Sequence, residues 1–122
     1  IYQVVYDAMT ALLEAMKPGN TNIDVNDAAR GVIKEAGFEK EGYHGVLGHG
    51  IGISPFSPPL VGELAATGER IFKLGAGMVF SMEPGVYVPG VGGVRLENNI
   101  LITETGCEVL NKTPYEERLL SR

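Results

Sequence analysis

A run of glycine residues around a single histidine, residues 48–52, constrains this chain more than any other feature of its sequence. Glycine permits tight turns and close backbone approach, and His49 places one imidazole inside that frame. Two carboxylates, Glu83 and Glu97, follow on short segments bounded by apolar residues or glycine. Imidazole and carboxylate groups held in this way are typical metal ligands. The three residues are therefore predicted ligands, and a dinuclear hydrolytic centre would need about five or six protein contacts in all.

The composition argues against several classes of protein. At 122 residues the chain has room for one domain with a buried core. Its hydrophobic share is 44%, without an apolar run of about 18 residues, which predicts a soluble globular protein and no membrane partner. The 10 basic and 15 acidic residues give a net charge of -5, so nucleic acid is not an expected partner. The single cysteine, Cys107, cannot form an internal disulfide, which predicts a structural thiol and a cytoplasmic location.

Two amphipathic helices are predicted at the start of the chain. Apolar residues recur at three- and four-residue steps over residues 1–16, and Lys17-Pro18-Gly19 ends this helix. A second helix is predicted with Asn22 or Asp24 as its N-cap and Gly37 as its stop. Because the sequence opens inside a helix, we expect it to be part of a longer protein.

The remainder of the chain is predicted to form a mainly antiparallel sheet. The high glycine content predicts a turn over residues 45–52, and the prolines of residues 53–60 predict a loop that cannot be a central strand. Apolar and β-branched runs predict the strands, which span residues 38–44, 78–82, 85–88, 93–102 and 108–110. Helices that precede the strands, instead of alternating with them, predict an α+β fold.

Three sequence blocks together resemble the C-terminal half of the pita-bread metallopeptidases. They are Gly48-His49-Gly50-Ile51-Gly52, residues 77–87 with Ser81-Met82-Glu83-Pro84-Gly85, and residues 92–98 with Val94-Arg95-Leu96-Glu97-Asn98. This family comprises the Xaa-Pro dipeptidases, aminopeptidase P and methionine aminopeptidase, with creatinase as a metal-free relative. The fourteen positions from Glu83 to Glu97 are most similar to the Xaa-Pro dipeptidase branch. The resemblance implies a pita-bread fold in which residues 1–122 are the C-terminal part.

The resemblance also implies a site with two divalent metal ions, Mn²⁺, Co²⁺, Zn²⁺ or Fe²⁺. In the family, two aspartates, one histidine and two glutamates hold these ions. His49 matches the histidine, Glu83 matches the glutamate that also transfers the proton, and Glu97 matches the bridging glutamate. Arg95, two positions before Glu97, is expected to orient a ligating carboxylate. The two aspartates have no match here, so the resemblance implies an absent N-terminal half and weak metal binding by this chain alone.

One position departs from the family pattern beside the predicted site. The family commonly has a second histidine seven positions after the ligand, where it contacts the substrate, and this chain has Phe56. Phenylalanine cannot donate a hydrogen bond to an oxyanion. His44 is the candidate to replace that histidine as a catalytic residue. Phe56 and Tyr87 are the candidates to line the substrate pocket.

Two classes of function remain open at this point. The first is a metal-dependent Xaa-Pro dipeptidase or aminopeptidase acting on peptides, complete only with its N-terminal half. The second is a creatinase-like hydrolase of a small amide, or a binding module without turnover, on the same scaffold. Phe56 favours the second class, whereas the retained His49, Glu83 and Glu97 favour the first. We also expect the chain to form a homo-oligomer or to associate with the absent half, since an uncovered sheet promotes pairing.

Overall fold

The structure is a computed structural model that describes residues 1–42, 45–63, 68 and 70–120. Within these residues, two helices come first and seven short strands follow. Their bounds are α1 (Tyr2–Ala15), α2 (Asn22–Glu35), β1 (Val46–Gly50), β2 (Ser57–Gly62), β3 (Val79–Met82), β4 (Gly85–Val88), β5 (Gly92–Arg95), β6 (Asn98–Ile102) and β7 (Cys107–Val109). A single 3₁₀ turn at Glu117–Leu119 follows β7. This order confirms the predicted α+β class. Within the described ranges, no helix is long and apolar enough to cross a membrane.

The second helix begins with a capping box that differs from the prediction by one residue. The N-cap is Thr21, not Asn22 or Asp24. The Asp24 backbone N–H donates to the Thr21 hydroxyl at 3.2 Å, and the Thr21 backbone N–H donates to Asp24 Oδ2 at 2.7 Å. Each residue thus satisfies a donor of the other. Asn22 is instead the first helical residue, and its buried side chain accepts from the Phe72 N–H at 3.0 Å.

All pairings in the main sheet are antiparallel, as predicted. Five strands lie in the order β2-β1-β3-β6-β7, while β4 and β5 form a separate hairpin. The central strands are therefore β1, β3 and β6. The last of them, β6, is joined to β7 through a turn in which the Thr103 N–H donates to the Gly106 carbonyl at 2.9 Å.

The two faces of the central strands differ in chemistry. On the first, which we call the apolar face, Phe80, Met82 and Ile100 are buried in one core cluster with the inward side chains of α1 and α2. On the second, the polar face, the sheet register aligns His49, Ser81 and Asn99 across β1, β3 and β6. Side chains alternate between faces along a strand, so one short stretch of β3 serves both the core and the predicted site.

The predicted turn at residues 45–52 was wrong, because residues 46–50 form the central strand β1. The glycines are needed there for close approach between strands. A Cβ on Gly48 would overlap the Met82 sulfur and lie 2.6 Å from the Ser81 carbonyl oxygen. A Cβ on Gly50 would lie 2.8 Å from the Pro58 carbonyl oxygen. The sequence correctly indicated that these positions require glycine. The requirement comes from close packing between strands, and not from a turn.

Three other predictions of secondary structure also need correction. Residues 38–42 form turns with one isolated bridge to β4 instead of a strand, and residues 43–44 lie outside the described ranges. The loop predicted over residues 53–60 was wrong in its second half, because Ser57–Gly62 forms strand β2; this strand lies at the sheet edge, so the exclusion of the prolines from a central strand is confirmed. Residues 93–102 form two strands, β5 and β6, because Leu96 and Glu97 belong to neither strand. Glu97 therefore lies in the connection between β5 and β6. The alternation of side chains between the two faces of the sheet does not determine the direction of its side chain.

Candidate metal centre

His49 is held in one orientation by its own strand. His49 is 8% exposed, and its Nδ1 lies 3.1 Å from the carbonyl oxygen of Gly50. A carbonyl oxygen can only accept, so Nδ1 carries the proton in this contact and Nε2 keeps its lone pair in the neutral imidazole. This is the tautomer that a metal-binding histidine needs at Nε2.

Glu83 follows β3 directly and turns its carboxylate toward that free nitrogen. Its backbone N–H donates to the Leu47 carbonyl at 2.8 Å, which extends the β1–β3 pairing past the strand end. Glu83 Oε1 lies 3.8 Å from His49 Nε2, and Oε2 lies 3.4 Å from Arg95 Nη1. The Glu83 side chain is only 15% exposed, so a nearby cation compensates for its loss of hydration. The ligating carboxylate that Arg95 contacts is thus Glu83, across the hairpin.

Glu97 reaches the polar face through a serine that sequence reasoning missed. The Ser81 hydroxyl donates to Glu97 Oε1 at 2.7 Å, and Ser81 is 2% exposed. Ser81 lies directly opposite His49 in the β1–β3 register. A signal for it existed in the sequence, since Ser81 stands between Phe80 and Met82 in an apolar strand. A buried hydroxyl at such a position needs a hydrogen-bond partner.

The donors present fit a divalent metal ion in part. The 3.8 Å between His49 Nε2 and Glu83 Oε1 exceeds a hydrogen bond. It is within the roughly 4.2 Å that two metal–ligand bonds of about 2.1 Å can span. In the part of the chain that the structure describes, no group of three His, Cys, Asp or Glu side chains is positioned to hold a metal. Two of the three predicted ligands therefore converge, and Glu97 is connected to them through Ser81.

Comparison with known proteins identifies the family. The sequence pattern of metallopeptidase family M24 matches residues 1–104. The chain belongs to metallopeptidase family M24. A solved structure, the prolidase from Pyrococcus furiosus, superimposes with a TM-score of 0.85 at 39% sequence identity, covering 94% of this chain and 32% of the prolidase. This similarity confirms the predicted pita-bread fold.

Two relatives of known sequence extend the M24 assignment. The chain is 40% identical over 116 residues to an Xaa-Pro dipeptidase from Pyrococcus furiosus, covering 95% of this chain and 32% of the relative. It is 46% identical over 117 residues to an uncharacterized peptidase from Staphylococcus saprophyticus, covering 96% of this chain and 31% of the relative. The chain thus spans about a third of the length of these M24 relatives. Its resemblance to the Xaa-Pro dipeptidase branch is confirmed.

The remaining predicted site residues of this M24 chain occupy different surroundings. The Phe56 ring lies against His49, with ring centroids 4.3 Å apart and planes tilted by 38°, and Phe56 is 54% exposed. Tyr87 lies on β4, paired with Gly93 of β5, and its ring leaves no room for a Cβ at that glycine. His44 lies outside the described residues.

The single thiol lies against the first helix. Cys107 Sγ donates to the Leu13 carbonyl at 3.3 Å, and burial raises the pKa of the thiol. A raised pKa keeps the group protonated near neutral pH, and the thiolate is the nucleophilic form. These surroundings fit the structural thiol that the sequence predicted.

Proposed function

We propose that this chain supplies part of a dinuclear metal centre to an Xaa-Pro dipeptidase or aminopeptidase. His49, Glu83 and Glu97 would hold divalent ions chosen from Mn²⁺, Co²⁺, Zn²⁺ and Fe²⁺, for which imidazole and carboxylate are suitable donors. The observation that carries the proposal is the approach of His49 Nε2 and Glu83 Oε1 to 3.8 Å within an M24 sequence. The Xaa-Pro dipeptidase and prolidase relatives support the substrate class.

Glu83 would act as the proton carrier. Bound divalent ions would supply an acidified water and a polarised peptide carbonyl. Arg95 contacts Glu83 Oε2 at 3.4 Å, which orients the carboxylate and leaves Oε1 on the His49 side. A carboxylate in that position can take the proton of the attacking water and return it to the leaving amine. Ser81 would fix Glu97 while this transfer occurs.

The rest of the centre would come from outside these 122 residues. The relatives are about three times as long as the matched region, and the family ligand set includes two aspartates that have no match in this sequence. We place this chain as the C-terminal part of the catalytic domain, acting in the cytoplasm on peptides. Either an N-terminal half or a second copy of the chain would cover the polar face. The chain alone would then bind metal weakly and would not turn over substrate.

A Glu83→Gln variant tests the proposal in the longest natural polypeptide that contains this sequence. Glutamine keeps the shape but cannot accept the proton, so hydrolysis of a Leu-Pro dipeptide with added Mn²⁺ or Co²⁺ should fall by more than about 100-fold. Circular dichroism should report an unchanged fold. The matched control is Glu108→Gln, at an exposed position of β7, which should retain activity. A Glu83→Gln enzyme within tenfold of the parent would refute the role.

Phe56 favours a second candidate function, a creatinase-like hydrolase of a small amide or a binding module. Its ring lies on His49 at the position where the family commonly has a hydrogen-bonding histidine. Phe56→His would restore that donor. On the peptidase proposal, the parent hydrolyses Xaa-Pro dipeptides and the variant hydrolyses them faster. A parent without any Xaa-Pro hydrolysis that nevertheless cleaves or binds small amides would select the second candidate.

A further inference from the structure

We infer that Asn98, Asn111 and Tyr115 are positioning residues for Glu97, so that the segment after β7 sets the geometry of the proposed metal centre. The inference rests on the proposed role of Glu97 as a ligand. It concerns three residues that touch no predicted substrate or ion. Asn98 lies on the apolar face next to Glu97 in the chain, and Asn111 and Tyr115 act through it.

Asn98 is the centre of this network. It follows Glu97 directly, is 3% exposed, and pairs with Met82 in the β3–β6 register, so it belongs to the apolar face. Its Nδ2 donates to the Tyr115 hydroxyl at 2.5 Å, and its Oδ1 accepts from Asn111 Nδ2 at 2.9 Å. A primary amide buried in an apolar layer is costly unless both of its ends are paired. Asn111 and Tyr115, both in the C-terminal segment that follows β7, provide that pairing.

The orientation of each amide in the network follows from one backbone group. The Asn99 N–H can only donate, and it lies 2.8 Å from Asn111 Oδ1. Asn111 Nδ2 must therefore face Asn98 Oδ1, which leaves Asn98 Nδ2 to face Tyr115. The Asn111 side chain thus bridges residues 98 and 99. It fixes the backbone immediately after Glu97.

The C-terminal segment is itself fastened to the first helix. The Tyr115 ring meets the Tyr6 ring edge to face, with centroids 5.0 Å apart and planes at 88°. The Glu116 N–H donates to the Tyr2 hydroxyl at 2.8 Å. Through these contacts the segment connects α1 to the start of β6.

Glu97 is the residue whose position depends on this connection. It lies in the two-residue break between β5 and β6, where no strand pairing holds it. The Ser81 hydroxyl holds the Glu97 carboxylate at 2.7 Å on the polar face. The next residue, Asn98, is held on the apolar face by its hydrogen bond to Tyr115. A polar recess of about 250 Å³, lined by Glu97, Asn99, Asn111 and Thr113, lies beside the same residues. Loosening Asn98 should therefore move the carboxylate relative to Ser81.

The test compares two tyrosine variants in the longest natural polypeptide that contains this sequence. Tyr115→Phe removes the acceptor of Asn98. Tyr2→Phe, the matched control, removes one hydrogen bond from the same segment without touching Asn98. The readouts are the ¹³C signal of the Glu97 side-chain carboxyl in metal-free protein, the dissociation constant for Mn²⁺, and the melting temperature. Glu97→Gln assigns the carboxyl signal.

We expect the two variants to lower the melting temperature by similar amounts but to differ at the site. Tyr115→Phe should shift the Glu97 carboxyl signal and weaken Mn²⁺ binding about tenfold, as loss of an outer partner of a ligand does. Tyr2→Phe should leave the signal in place and change binding by less than about twofold. Asn111→Ala, read in the same way, should behave as Tyr115→Phe does.

Equal effects of Tyr115→Phe and Tyr2→Phe on the carboxyl signal would overturn the inference, because the segment would then be only a structural attachment. An unchanged signal in Tyr115→Phe and Asn111→Ala would overturn it as well. A parent that binds no Mn²⁺ would contradict the proposed function. The metal-free carboxyl signal would still decide whether the network positions Glu97.

Discussion

The two faces of the central strands hold their residues in place by different forces. On the apolar face, Phe80 and Met82 are fixed by burial in a continuous core, where close packing makes every lost methylene costly. On the polar face, His49 and Ser81 are also buried, but they are oriented by directed hydrogen bonds to the Gly50 carbonyl and to Glu97. Substitutions on the first face should therefore reduce stability, and those on the second should alter metal binding and activity.

The largest effect is expected from truncating the aromatic residue of the apolar face. Phe80→Ala removes a ring that is 1% exposed, and the cavity should cost about 3–5 kcal/mol of unfolding free energy. Phe56→Ala is the matched control on the other face, where the ring is 54% exposed, and it should cost less than about 1 kcal/mol. Urea unfolding of both variants measures the difference. Similar losses would remove the distinction between the faces.

A smaller loss is expected where β1 and β3 approach each other. Gly48→Ala would place a methyl group against the Met82 sulfur and the Ser81 carbonyl, and we expect a loss of about 1–3 kcal/mol. Gly52→Ala is the control, because a Cβ there meets nothing within 4 Å. Thermal unfolding compares the two alanine variants. A Gly48→Ala protein as stable as Gly52→Ala would mean that the strands can separate without cost.

On the polar face, removal of one hydroxyl should change metal binding more than stability. Ser81→Ala deletes the donor to Glu97, and Mn²⁺ affinity should fall about tenfold while unfolding free energy changes by about 1 kcal/mol. Ser54→Ala, an exposed serine whose hydroxyl donates to the Phe56 carbonyl, is the control and should leave binding unchanged. Titration calorimetry and urea unfolding together separate the two quantities. A Ser81→Ala protein with parental affinity would contradict the proposed role of Glu97.

The smallest effect is expected at the start of α2, away from both faces. The Thr21 backbone N–H and then its hydroxyl hold the pKa of the Asp24 carboxyl below its ordinary value. A lowered folded-state pKa stabilises the fold above the unfolded pKa, and this stability is lost as the pH falls through the folded pKa. The stability advantage of the parent over Asp24→Asn should therefore be present at pH 6 and decline below about pH 4. Urea unfolding across this range measures it, and a difference that does not vary with pH would refute the assignment.

The sequence predicted the features that depend on local pattern or on family motifs. Apolar spacing located both helices, and the motif blocks located His49 and Glu83, which the structure brings within 3.8 Å. It did not predict the strand β1, because glycine content marks a permissive backbone without saying whether a turn or a close strand requires it. The interruption between β5 and β6 at Glu97 was missed because the local residue pattern does not mark it. Apolar and polar residues alternate from Val94 to Glu97 as they would in a continuous strand, and only the separate pairing of β5 with β4 interrupts it.

The residues that sequence reasoning missed all depend on partners that are distant along the chain. Ser81 matters because of Glu97, and Tyr115 matters because of Asn98 and Tyr6. A hydroxyl or a tyrosine has no fixed role until the fold supplies its partner, so a short segment does not reveal it. The polar side chain within the apolar run of β3 was the most informative clue available.

The contact between His49 and its own strand has a consequence for how this site can change in evolution. The group that accepts from Nδ1 is the Gly50 carbonyl, which belongs to the main chain and is encoded by no side chain. A histidine oriented by a carboxylate loses its tautomer when that carboxylate mutates, whereas here no single codon change deletes the acceptor. Drift at this position is instead limited by the Pro58 carbonyl, which would lie 2.8 Å from a Cβ on residue 50. The imidazole orientation should therefore persist in descendants that have already lost activity.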